Sequence, residues 1–209
     1  MEKDYVIHLH CTDGTWSGML RGPEGEKPFR GVDGLLEQLN VAPDPRLERL
    51  WNLACTDRLT GLLNRRGLEE EAVRVLNEEE QIALFLLDVD DLKRINDTFG
   101  HLRGDLALQK VAQALAGTAG PGDVVGRIGG DEFVMILRSA EDETRLRERG
   151  EALCRAVAAA APEIGLTVSM GACLAGAKIG LGGLLERADR ALYQVKQTGK
   201  QGFALFKEA

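Results

Sequence analysis

The feature that most narrows the fold is a Gly-Gly pair set between two β-prone runs, in Arg127-Ile128-Gly129-Gly130-Asp131-Glu132-Phe133. Val124, Val125 and Ile128 precede the pair, and Phe133, Val134, Met135, Ile136 and Leu137 follow it. The pattern predicts a β-hairpin whose glycines adopt the positive φ that tight primed turns require. Asp131 and Glu132 come directly after the turn, where an ordinary hairpin needs no charge. A turn without side chains also lets a large anionic ligand approach the backbone closely. The stretch therefore predicts a nucleotide-handling hairpin with a metal-binding carboxylate beside it. A tight turn with solvated acids would look the same in four residues, so the remaining chain decides.

A second constraint is the run Gln81 to Leu87, apolar from Ile82 onward, the pattern of a central strand buried on both faces. It ends in Asp88-Val89-Asp90-Asp91. Acids at the end of a buried strand are costly unless they are paired or bind a cation. An EF-hand loop is excluded, because its sixth position is Lys93 rather than glycine and its twelfth is Phe99 rather than glutamate. Around this strand, apolar spacing predicts helices over about 64–76, 92–97, 106–115, 141–161 and 184–199, with strands over 164–173 and 203–206. Phe99 to Asp105 reads as a loop. Helices and strands alternating in this way predict an α+β fold, an α/β sandwich with a mixed central β-sheet flanked by helices.

Ahead of this lies a smaller segment. Asp4 to Cys11 alternate like a half-buried strand, Asp13-Gly14 is a hairpin signal, and Thr15 to Arg21 make a second strand. After a Gly22-Pro23-Glu24-Gly25 loop, Phe29 begins a short third strand, and Val32, Leu35, Leu36 and Leu39 then recur at helical spacing. The expected organisation is a small β-hairpin-plus-helix module over 1–42 with a sensory or dimerising role, a linker helix over 43–56, and the main domain over 57–209. A module of about 40 residues is marginal alone and should pack on the main domain or on a second copy.

Bulk properties remove several functions. A net charge of −7 argues against nucleic acid polymers and anionic lipid as partners. An acidic protein that binds an anionic nucleotide needs a metal ion or well-placed lysines to reverse the field at the site. Cys11, Cys55, Cys154 and Cys173 form no Cys-x-x-Cys pair, as expected of reduced cysteines in a cytosolic protein. The first residues lack the apolar core of a signal peptide, and the longest uncharged run, Ile164 to Ala177, is too short to span a bilayer. A cytoplasmic protein without membrane insertion is expected.

Five blocks then occur in order: Asp57-x-Leu-Thr-Gly-Leu-x-Asn-Arg-Arg66, Asp88-x-Asp-x-x-Lys-x-Ile-Asn-Asp97, Gly100-His-x-x-Gly-Asp105, Arg127-x-Gly-Gly-Asp-Glu-Phe133 and Ala188-Asp-x-Ala-Leu-Tyr-x-x-Lys196. This order resembles that of GGDEF domains, the diguanylate cyclases, over roughly residues 47–207. The resemblance implies a palm-like fold shared with nucleotidyl cyclases and some polymerases. It implies a reaction in which two GTP molecules become cyclic di-GMP and two pyrophosphates. A homodimer follows, because one half-site holds only one GTP. The resemblance also implies Mg²⁺, with Mn²⁺ as a substitute, on the carboxylates of Asp88 and Asp131 and the carbonyl of Val89. Asp90 is a candidate ligand for a second ion. By the same resemblance Asn96 and Asp105 hydrogen-bond the guanine edge, an ionised carboxylate accepting from N1–H and N2–H. Lys93, the backbone amides of Asp91 and Leu92, Lys196 and Lys200 hold the phosphates, which approach over Gly129 and Gly130. Asp131, Glu132 and Lys93 form the catalytic set, with Glu132 acting near the 3′-hydroxyl as a base or by orienting groups around it.

Each of these residues also has a purely structural reading. Asn96-Asp97 could end a helix, Asp105 could cap one beginning at Leu106, and Lys196 and Lys200 could complement a helix C-terminus. The chain also departs from the family pattern. Gly120-Pro121-Gly122-Asp123 stands where many members carry an Arg-x-x-Asp pair that binds product, and without the guanidinium that inhibitory site should be lost or weakened. Leu92 replaces a common aromatic and Lys200 a common arginine. The alternative function is a GGDEF-like module that senses GTP without catalysis.

Overall fold

A computed structural model of the chain describes residues 6–12, 15–22, 25–30, 54–138 and 142–207. The chain divides into two compact units, Met1–Leu53 and Ala54–Ala209. The first contains an antiparallel sheet of three strands in sequential order, β1 (Val6–Thr12), β2 (Thr15–Gly22) and β3 (Gly25–Arg30). Arg21 and Glu26 face each other across β2 and β3 and pair as ions. The third strand begins four residues earlier than Phe29, since Gly22 and Gly25 already pair across the turn. The helix expected over 32–39 and most of the linker helix lie outside the described residues.

The second unit is built on β4 (Gln81–Val89). The strands β5 (Val124–Arg127), β6 (Glu132–Leu137), β7 (Val168–Gly176) and β8 (Phe203–Leu205) complete a sheet in the order β5-β6-β4-β7-β8. All neighbours are antiparallel except β7 and β8, so the sheet is mixed. The continuous apolar run of β4 is explained by what covers it. Odd-numbered Ala83, Phe85, Leu87 and Val89 pack with residues of α2 (Leu92–Phe99), α3 (His101–Thr118) and α4 (Glu143–Ala160), among them Ile95, Val111, Leu115, Leu153 and Val157. Even-numbered Ile82, Leu84 and Leu86 pack with α1 (Arg65–Glu78) and α5 (Gly180–Gln197) through Leu68, Ala72, Val75, Leu184, Ala188 and Leu192. A strand alternates its side chains, so covering both faces demands an apolar residue at every position.

Local signals set the ends of these elements. Asn64 caps α1 by accepting from the Gly67 amide at 3.0 Å, and Asp142 caps α4 by accepting from Arg145 at 2.9 Å. Three expectations need correction. The segment read as a loop up to Asp105 is helical from His101, because Gly100, at φ 85°, reverses the chain in a single residue between α2 and α3. The strand expected from Ile164 begins at Val168, after a 3₁₀ turn over Pro162–Ile164. Neither Gly129 nor Gly130 takes positive φ. Four residues, 128–131, connect β5 to β6, so the primed two-residue turn is not used. The Ile128 amide donates to the Glu132 carbonyl at 3.0 Å and closes this longer connection.

Candidate active site at the carboxyl end of the central strand

The acids at the end of β4 meet three other segments. In the β4–β6 ladder Asp88 lies opposite Glu132, and the Val89 amide donates to the Asp131 carbonyl at 3.0 Å. The glycine connection is thereby laid beside the strand end. Lys196, in the last turn of α5, sits with its Nζ 2.7 Å from Asp88 Oδ2. Burial pushes the Asp88 carboxyl above its ordinary pKa; Lys196 pulls it back, and the charges of Asp131 and Asp90 push it up again, leaving the net shift upward. Asp131 and Asp90 therefore act on the same carboxylate. Excess negative charge on hard oxygen donors is what a divalent cation relieves, so this donor set fits Mg²⁺ in chemistry. Among the described residues no three His, Cys, Asp or Glu side chains cluster to hold a metal. The expected set holds only two carboxylates, with a backbone carbonyl as its third donor.

Asp90 is tied down by the chain itself. It is 4% exposed, its Oδ1 accepts from Ser169 Oγ at 2.6 Å, and its Oδ2 accepts from Thr167 Oγ1 at 2.9 Å and the Gln201 amide at 3.2 Å. A carboxylate offers about four acceptor positions, so three are committed to protein. Next to it Asp91 accepts from Lys200 Nζ at 2.7 Å, a bond that holds its carboxyl below the ordinary range. Asp91, Lys200 and Gln201 are the non-glycine residues at positive φ among those described, at 52°, 65° and 55°. All three thus meet where the segment after α5 fastens onto the end of β4.

Asn96 belongs to α2 and Asp105 to α3, and the Asn96 side chain meets α3 at Gly104. A Cβ at Gly104 would lie 1.9 Å from Asn96 Oδ1, so the Asn96 amide rests on the backbone next to Asp105. Because α3 begins at His101, Asp105 stands inside the helix and is not its N-cap. Lys93 is exposed in the first turn of α2, close to Leu92 and the amides that open that helix. Among the described residues, the side chains of Lys93, Asn96, Asp105, Asp131 and Glu132 take part in no hydrogen bond or ion pair. Lys196 and Lys200, by contrast, are engaged with Asp88 and Asp91.

Sequence reasoning assigned no role to the residues that brace the glycine connection. Arg127 donates from NH2 to the Gly130 carbonyl at 2.7 Å and from NH1 to Asp57 Oδ1 at 3.1 Å. Arg65 Nε donates to the Ile128 carbonyl at 3.2 Å. Two guanidinium groups from separate segments thus fix two carbonyls of one turn. The signal was present as charged residues inside the quoted blocks, but only the tertiary fold shows what they reach. Glu132 turns back under the same connection, its Oε2 2.5 Å from where a Gly129 Cβ would stand. Upstream, Asp123 is engaged by the Gly120 amide and Arg149 NH2, each at 2.8 Å, and by the Arg138 amide at 3.1 Å.

The sequence model described as "Diguanylate cyclase, GGDEF domain" matches residues 54–202. Diguanylate cyclase DgcZ of Escherichia coli strain K12 is 37% identical over 175 residues, which cover 80% of this chain and 59% of that protein. The chain therefore spans little more than half of that relative's length. Among solved structures, the coiled coil and GGDEF domain of DgcB from Caulobacter crescentus, in complex with c-di-GMP, aligns with a TM-score of 0.68 at 28% identity, over 83% of this chain and 94% of that one. A microbial GGDEF domain studied for its interaction with cyclic di-GMP aligns at 0.63 with 36% identity, over 75% of this chain and 99% of that one.

Proposed function

Because this chain belongs to the GGDEF family of diguanylate cyclases, we propose that it condenses two GTP molecules into cyclic di-GMP, in the cytoplasm and as a homodimer. The observation that supports this reading is the approach of Lys196 and Asp131 to Asp88 at the end of β4, from which α2, the helix that carries Lys93 and Asn96, starts two residues on. In each half-reaction a 3′-oxygen bonds to the α-phosphorus of the other nucleotide, the bond from that phosphorus to pyrophosphate breaks, and the hydroxyl proton leaves. Asn96 and Asp105 orient guanine, the ionised acid accepting from N1–H and N2–H, a pattern that adenine does not offer. Lys93, Lys196, Lys200 and the opening amides of α2 hold the phosphates, which pass close to the bare backbone at Gly129 and Gly130. Glu132 orients the attacking hydroxyl or takes its proton.

Asp88, Asp131 and the Val89 carbonyl would hold Mg²⁺, or Mn²⁺ in its place, with Asp90 a secondary donor; once bound, the ion neutralises phosphate charge and acidifies the hydroxyl. Inhibition by product is lost, because glycine stands at 120 and Asp123 is already engaged by Arg149. Incubating the purified chain with GTP and Mg²⁺ and separating the nucleotides by chromatography tests the reading. Cyclic di-GMP and pyrophosphate are expected, and Asp131→Ala should abolish both. GTP binding without product at high protein concentration would overturn it.

A further inference from the structure

The Asn96 amide is placed by shape. It sits half-buried at the α2–α3 junction and makes no hydrogen bond to the described residues. It rests against Gly104, where an added Cβ would lie 1.9 Å from Oδ1, 2.8 Å from Cγ and 3.3 Å from Nδ2. All three atoms belong to the amide end of a flexible side chain, so any residue larger than glycine would push the amide aside and leave both helices standing. Gly104 is buried in the second turn of α3, and its φ is not positive. No backbone conformation therefore calls for glycine there, and helix propensity argues against it. What glycine supplies is empty space beside Asp105.

We propose that Gly104 is a positioning residue for purine selection: by lacking a side chain it lets the Asn96 amide lie beside the Asp105 carboxylate, so that the two read the guanine edge as one unit. This rests on the proposed guanine contacts of Asn96 and Asp105. The inference also accounts for where the Asn96 amide rests, against the bare backbone of Gly104 and with no hydrogen-bond partner among the described residues. Close packing fixes it and leaves its donor and acceptor free for the base.

The test is a double-mutant cycle on the full chain, with Gly104→Ala, Asn96→Ala and the pair together. The probes are GTP and ATP analogues with a methylene between the α- and β-phosphorus, which bind but cannot release pyrophosphate. Each is titrated with Mg²⁺ present, and melting temperature is recorded alongside. Loss of one hydrogen bond to the base predicts a fall of about tenfold in the preference for guanine over adenine in Asn96→Ala. Gly104→Ala should show a similar fall with a melting temperature equal to or above that of the wild type, and the double variant should be no worse than either single one. If Asn96→Ala loses preference while Gly104→Ala keeps it, the inference fails and the guanine reading stands. If Asn96→Ala itself keeps the wild-type preference, both fail. A lowered melting temperature in Gly104→Ala, or effects that multiply in the double variant, would make the glycine a structural residue and overturn the proposal.

Discussion

Asp57 shows how one side chain far from the chemistry can hold the turn beside it. Burial would raise its pKa, but the Thr60 hydroxyl, the Arg127 guanidinium and the Thr60 amide outweigh burial and hold it below the ordinary carboxylate range. A carboxyl depressed in the folded state adds stability above its unfolded pKa, and that stability is lost as pH falls through the folded value. Asp57→Asn should therefore cost about 1 kcal/mol at neutral pH, a modest figure because the pair is partly screened by solvent. The gap from wild type should close in acid, below about pH 4. Urea denaturation of both proteins at several pH values measures this, and a gap that widens in acid would refute it. Residue identity was the most legible level of the sequence, since Asp88, Asn96, Asp105 and Asp131 stand in ordered blocks. The partners were not legible: Arg127 reaches Asp57 across 70 residues, and Lys196 reaches Asp88 on β4 from α5. Spacing along the chain does not encode such contacts.

Among the elements, α5 owes its position to one glycine in β7. A Cβ at Gly171 would lie 2.1 Å from the Ala188 carbonyl oxygen and 2.2 Å from the Leu192 amide nitrogen. Both are backbone atoms, so no side chain can yield. Gly171→Ala should cost about 3 kcal/mol in unfolding free energy, at the upper end for overpacking. It should also weaken GTP binding, because Lys196 lies one turn beyond Leu192 on the displaced helix. Denaturant melts and nucleotide titration of the same variant would separate the two effects, and an unchanged melt would show that the helix has room to shift. Element types were legible wherever burial left its mark on the sequence, as an unbroken apolar run in β4 and as helical spacing in α1. Boundaries were missed where a single residue changed the path, at Gly100 and after Pro162–Ile164. The positive φ expected of Gly129 and Gly130 failed for a related reason. Loop length, which two glycines do not announce, decides the turn.

At the scale of the molecule, the described residues offer one proposed set of nucleotide contacts, whereas the proposed reaction joins two nucleotides. Turnover per protomer should rise with protein concentration in the dilute range and level off once pairs predominate. Added cyclic di-GMP should leave the rate unchanged, since Gly120 provides no guanidinium and Asp123 is held by Arg149. Steady-state rates over a dilution series, with and without product, check both points. Activity independent of dilution would count against two half-sites meeting, and slowing by product would count against loss of inhibition.

The fastening of Gln201 and Lys200 onto Asp90 and Asp91 joins residues 111 and 109 positions apart. Contacts at that separation form late, because a long stretch must close before they return any energy. On a ribosome the acidic segment 88–91 is made long before the ammonium and amide groups that steady it. A growing chain that stops short of residue 196 carries Asp88 and Asp91 without the counter-charges of Lys196 and Lys200.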